Sequence, residues 1–121
     1  MVFPFFYWKM KFSESLKKNE DFQKVYSNKR SYADKNLVMY IFENNLPGKN
    51  RLGISVSKKV GNSVVRHHLT RLIRECYRLH EEMFISGIDI VVVVRVSGKD
   101  IDFHEVEKSF LKLSNLHKIT K

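Results

Sequence analysis

A single cysteine, Cys76, in a chain of 121 residues leaves no partner for an internal disulfide and no paired Cys and His spacing for a structural zinc ion. A reducing, cytoplasmic compartment is the default for such a chain. Long apolar runs are missing too. The stretch at residues 88–94 is broken by Asp89 and falls far short of the roughly 20 residues that cross a bilayer. No membrane association is expected. There is no glycine-rich loop of the Walker or Rossmann type and no Gly-x-Ser-x-Gly elbow, which argues against nucleotide hydrolysis and serine hydrolase chemistry. The aromatic residues 1–8 have neither the basic start nor the small-residue cleavage site of a signal peptide. Because Met10 and Lys11 look like an ordinary start, residues 1–9 read as a poorly ordered extension before a single domain over residues 10–121.

Acidic residues are the remaining shortage: 22 Lys and Arg stand against 13 Asp and Glu, a formal charge of +9. A polyanion is the natural partner for such a chain. The excess is uneven, since residues 58–80 carry Lys58, Lys59, Arg66, Arg71, Arg74 and Arg78 against Glu75 alone, with His67, His68 and His80 among them. At 43% hydrophobic and 12% aromatic the chain can still bury a core, so disorder throughout is excluded.

Periodicity predicts an α+β domain in the order helix, hairpin, helix, strand, helix. Asn19 is placed to cap a short first helix with Glu20 and Asp21 in its first turn and Phe22, Val25 and Tyr26 at helical spacing, ending near Asn28. Residues 37–42 are wholly apolar, with Val38, Tyr40 and Phe42 on one face, and residues 51–57 alternate. The Asn44-Asn45-Leu46-Pro47-Gly48 turn between them suggests a hairpin, with Tyr40 beside the small face of Gly53, Ser55 and Ser57. A long helix capped by Asn62 or Ser63 is expected to bury Val65, Leu69, Leu72, Cys76, Leu79 and Met83 and to turn its basic face outward, centred near Arg74. Residues 88–94 read as a central strand, and residues 103–116 as a last helix burying Val106, Phe110 and Leu113.

No protein-borne catalytic site is expected. Cys76 lies mid-stripe and reads as a small buried hydrophobe. His67 and His68 are adjacent, whereas a helical metal pair needs i, i+4 spacing, so no metal or other cofactor bound to the protein is expected. What remains is an arginine row next to Lys58 and Lys59, with aromatics on another helix and a strand. Arginines clamp phosphates and exposed aromatics stack on unpaired bases, a combination suited to RNA with a single-stranded part. Phe22, Tyr26 and Tyr40 are equally readable as core.

The run Leu52-Gly53-Ile54-Ser55-Val56-Ser57-Lys58-Lys59-Val60-Gly61-Asn62-Ser63-Val64-Val65-Arg66, continuing to Leu72-Ile73-Arg74-Glu75, resembles the signature of the bacterial ribonuclease P protein subunit. Residues 16–26 resemble that family's first helix, and residues 89–95 its central strand. The resemblance implies a two-layer α/β sandwich with a left-handed βαβ crossover, against the usual rule for such connections. It implies a partner, ribonuclease P RNA, that removes the 5′ leader of precursor tRNA with Mg2+ and carries the chemistry itself, the protein being monomeric when alone. By matching position, Arg66, Arg71 and Arg74 would face the catalytic RNA together with His67. Phe22, Tyr26 and Tyr40 would line a leader-binding cleft, and Lys58, Lys59 and Asn62 would sit in the loop between. One departure stands out: the family reads Arg-Asn-Arg followed two residues later by Lys-Arg, where this chain has Arg66-His67-His68-Leu69-Thr70-Arg71. Imidazoles in that run should make RNA affinity vary between pH 6 and 8 more than in an arginine-bearing relative. Two other readings compete: a structural RNA-binding protein whose aromatics are merely core, and a membrane-surface role for the aromatic N-terminus.

Overall fold

The computed structural model describes residues 13–46 and 48–121. The expectation for residues 1–9 lies outside them. The described elements run β1 (Ser13–Ser15), α1 (Asn19–Ser27), β2 (Ser31–Ala33), β3 (Leu37–Glu43), β4 (Asn50–Ser55), α2 (Ser63–His80), β5 (Ile88–Val94) and α3 (Phe103–His117). The strands form one mixed sheet in the order β1-β4-β5-β3-β2, with β1, β4 and β5 mutually parallel and β3 antiparallel to both β5 and β2. The short strands β1 and β2, at the two edges, carry no apolar alternation that the sequence could reveal.

The hairpin expected of β3 and β4 does not form, because β5 lies between them. β5 is the most completely buried strand, with every residue but Val93 buried, and such a strand belongs where both faces and both edges are covered. The connecting residues have ample reach to step over it, since two strand spacings amount to about 10 Å. They are tied to the turn before β5 as well as to each other: Asn44 N–H donates to Gly87 O at 2.8 Å and Gly87 N–H to Lys49 O at 3.2 Å, while Lys49 N–H donates to Leu46 O at 3.2 Å. Gly87 takes φ +83°, a conformation that L side chains rarely adopt.

The register sorts every strand residue to a face. Leu37, Met39 and Ile41 of β3, Leu52 of β4, and Ile88, Ile90, Val92 and Val94 of β5 join Leu69, Ile73, Cys76 and Tyr77 of α2 and Val106, Phe110 and Leu113 of α3 in the main core. This is the expected sandwich, and α2 is the crossover between the parallel neighbours β4 and β5. A partial third layer lies on the opposite face, where Val25 of α1 packs with Leu16 and Val91, flanked by Phe22, Tyr26, Tyr40, Phe42 and Val93.

Two helix details differ from expectation. Asn19 is the first residue of α1 rather than its cap; Lys18 holds the cap position with no side-chain bond, and its carbonyl accepts from Asp21 and Phe22 N–H. The buried stripe of α2 is rotated: Ile73 and Tyr77 are fully buried while Leu79 is 53% exposed. The reason is tertiary. Tyr77 stacks on Phe84 at 5.4 Å, meets Phe110 edge-on, and exchanges a 2.6 Å hydrogen bond with Ser13, so an amphipathic Tyr takes the place that hydropathy alone assigns to Leu.

Candidate nucleic-acid interface

The outward side of α2 begins at Asn62, whose side chain caps the helix by accepting from Val65 N–H at 3.0 Å. This leaves Lys58 and Lys59 exposed on the preceding loop, anchored by buried Val60. With the stripe rotated, the exposed face is centred on Arg71 rather than near Arg74, and His67, His68 and Arg71 line an open hollow of about 510 Å³ with Ser63 and Val64. Arg74 is half-buried. Arg66 falls on the flank toward β4, beside Ile54, Val56 and Thr70, and its Nε is buried with no hydrogen-bond partner among the described residues. Thr70 does not replace a charge there. Its hydroxyl donates back to Arg66 O at 2.9 Å, inside its own helix. Arg78 is partly neutralised by a two-point ion pair with Glu75, at 3.0 and 2.6 Å.

Phe22, Tyr26 and Tyr40 come together on the other face of the sheet. Tyr26 and Tyr40 meet edge-to-face at 4.9 Å, and Phe22 lies 6.3 Å from Tyr26. All three are half-buried and pack against the small cluster of Leu16, Val25 and Val91. Across the sheet the rows read Phe42, Asp89, Arg51; then Tyr40, Val91, Gly53; then Val38, Val93, Ser55. Gly53 therefore lies one strand further from Tyr40 than the hairpin implied, and it is Phe22 that occupies the space above it. A Cβ at Gly53 would come 2.7 Å from the Phe22 ring. Burial raises the Tyr26 phenol above its ordinary pKa, opposed by its hydrogen bond to Ser55, so it stays neutral.

The structure thus brings the aromatics together and the α2 cations together, but on opposite faces of the sheet, with the loop of Lys58 and Lys59 where β4 leaves it. Ser55 and Phe42 belong to the aromatic cluster and were not singled out by sequence. The alternation of Val38, Tyr40 and Phe42 carries the signal for Phe42. Cys76 is fully buried and burial pushes its thiol up to about 12, which leaves it inert. Among the described residues no helix is long and apolar enough to cross a membrane.

A family model described as Ribonuclease P matches residues 10–118. The chain belongs to the ribonuclease P protein family. Among its relatives, the ribonuclease P protein component of Lachnoclostridium phytofermentans is 54% identical over 107 residues, 88% of this chain and 91% of the relative. That of Clostridioides difficile is 47% identical over 102 residues, 84% and 89% of the two chains. Among solved structures, the RNase P protein of Staphylococcus aureus superposes with a TM-score of 0.82 at 36% identity, covering 88% of this chain and 97% of that one. The RNase P protein of Thermotoga maritima gives 0.75 at 30% identity, covering 87% and 96%. The mixed five-stranded sheet with three helices is the fold of these ribonuclease P proteins, and this chain is a protein subunit of a tRNA-processing ribonuclease.

Proposed function

We propose that the chain binds ribonuclease P RNA through the outward face of α2, using Arg66, His67, Arg71 and Arg74 with Lys58, Lys59 and the Asn62 turn. In the same complex it holds the single-stranded 5′ leader of precursor tRNA against Phe22, Tyr26 and Tyr40. The observation that carries this reading is the half-open aromatic cluster on the face opposite the cationic helix. Two RNA segments can be held at once, one by charge and one by stacking. Cleavage itself belongs in this reading to the RNA subunit, as does the magnesium. Among the described residues no group of three or more His, Cys, Asp or Glu side chains is placed to hold a metal ion. The protein contributes affinity for the precursor and lowers the magnesium demand of the RNA enzyme.

The test is precursor tRNA cleavage by the chain's own ribonuclease P RNA at low magnesium, with and without the protein. Faster release of the leader is expected. Tight, salt-sensitive RNA binding without any stimulation would overturn the proposal in favour of a structural RNA-binding role.

A further inference from the structure

Asp89 is the one polar residue of the central strand and is 1% exposed. A buried carboxylate is unfavourable unless paired and hydrogen-bonded, and the leader cleft and the α2 face make no use of it. Its partner is Arg51, directly opposite on β4. Arg51 Nε donates to Asp89 Oδ1 at 2.8 Å and Nη2 to Oδ2 at 2.7 Å, while Asn44 Nδ2 donates to Oδ1 at 2.8 Å. The guanidinium is thereby fixed flat on the α1 side of the sheet. Its remaining Nη1 reaches up to Asp21 Oδ2, 3.3 Å away, in the first turn of α1. The next residue is Phe22, whose ring rests on Gly53, and one turn later Tyr26 meets Tyr40.

We propose that Asp21, Arg51 and Asp89 form a positioning clamp that sets how α1 lies over the sheet and so fixes the width of the aromatic cleft. This rests on the leader-cleft reading. The apolar contacts under α1, centred on Val25, hold the helix down but have no direction. A charge-assisted bond to a guanidinium that is itself held at two points has both direction and register. At the far end Asn28 Nδ2 donates to Ile41 O at 3.1 Å, so the helix is tied at both ends with the aromatics between. Asp21 and Arg51 act through Phe22 and Tyr26 rather than on RNA.

The experiment uses the protein reconstituted with ribonuclease P RNA and reads the ratio of affinities for precursor tRNA and leaderless tRNA, together with affinity for the RNA subunit. Asp21→Ala should lower the ratio about three- to tenfold, the scale expected when a binding group is displaced by a fraction of an ångström to an ångström, and leave affinity for the RNA subunit in place. Glu20→Ala is the control. Glu20 is exposed in the same turn and removes the same charge, so it should leave the ratio unchanged, while Asp21→Glu should restore part of the loss. Equal effects of Asp21→Ala and Glu20→Ala would overturn the clamp, as would a uniform loss of affinity for all three RNAs. Should Asp21→Ala fail to fold, Asp21→Asn, which keeps shape and an acceptor oxygen without the charge, takes its place. Tyr40→Leu reports on the cleft itself. An unchanged ratio there overturns the cleft reading and the clamp with it, whereas a lost ratio in Tyr40→Leu with a retained one in Asp21→Ala overturns the clamp alone.

Discussion

His117 shows how a single side chain couples burial to pH. It is 3% exposed, its Nε2 lies 2.8 Å from Met39 O, and its Nδ1 is buried without a hydrogen-bond partner among the described residues. The carbonyl can only accept, so Nε2 carries the proton and Nδ1 is an unprotonated lone pair. Burial holds its pKa below the ordinary value, helped by the Arg30 charge and opposed by the bond to Met39. A histidine with a depressed folded pKa takes up its proton more readily when unfolded. Stability should therefore be complete above the unfolded value of about 6.5 and decline as pH falls below it toward the folded value, by at most about 1.4 kcal/mol per pH unit for one proton. His117→Gln, which keeps an amide donor for Met39 O, should flatten that decline in urea titrations between pH 7 and 5. A decline that persists unchanged would assign it to other groups. Gly53 carries a second prediction at this scale. Gly53→Ala drives a methyl into the Phe22 ring and Leu16, and the overpacking should cost about 1–3 kcal/mol in urea unfolding. The Leu52-Gly53 signature was visible in the sequence, but the aromatic ring that requires glycine there comes from another element.

Among the elements, β5, α1 and α3 were readable nearly to their ends, because each has a strong apolar pattern bounded by turn or cap residues. α2 was readable as a helix but its facing was not. Leu79 and Tyr77 lie on opposite flanks of the stripe through Leu69 and Cys76, and the choice between them is made by Phe84, Phe110 and Ser13, outside the helix. The cap at Asn62 is local and was legible. Asn62→Ala should cost about 1 kcal/mol of stability, checked by denaturant unfolding. It should also loosen the first turn of α2, seen as faster amide exchange at Val65 with the C-terminal half unaffected. The hairpin failed for a related reason: turn chemistry shows that the chain reverses, but not which strand fills the place beside it.

Over the whole molecule, the α2 cations and the cluster of Phe22, Tyr26 and Tyr40 lie on opposite faces of one sheet, so salt and stacking effects should separate. RNA-subunit affinity should fall with salt at about −0.7 to −0.9 per phosphate neutralised, which for five contacts gives a log–log slope near −4. Arg74→Ala should make that slope shallower by about one unit. The ratio of precursor to leaderless tRNA affinity should be far less salt-sensitive, and Tyr40→Leu should reduce it by the equivalent of about 1–3 kcal/mol. Binding titrations from low to high salt with both variants check the separation. A ratio that follows salt as steeply as the overall affinity would place leader and RNA subunit on one surface.

The sequence by itself determined the class of partner, the helix and strand types of the long elements, and the family, because charge, periodicity and the run from Leu52 to Glu75 are properties of neighbouring residues. Only the tertiary structure decided that β5 separates β3 from β4, that α2 turns Tyr77 inward, and that Phe22 lies on Gly53 beside an ion cluster drawn from α1, β4 and β5. Each of these depends on contacts between segments distant along the chain, where competition for burial and for hydrogen-bond partners is settled only when the whole core closes.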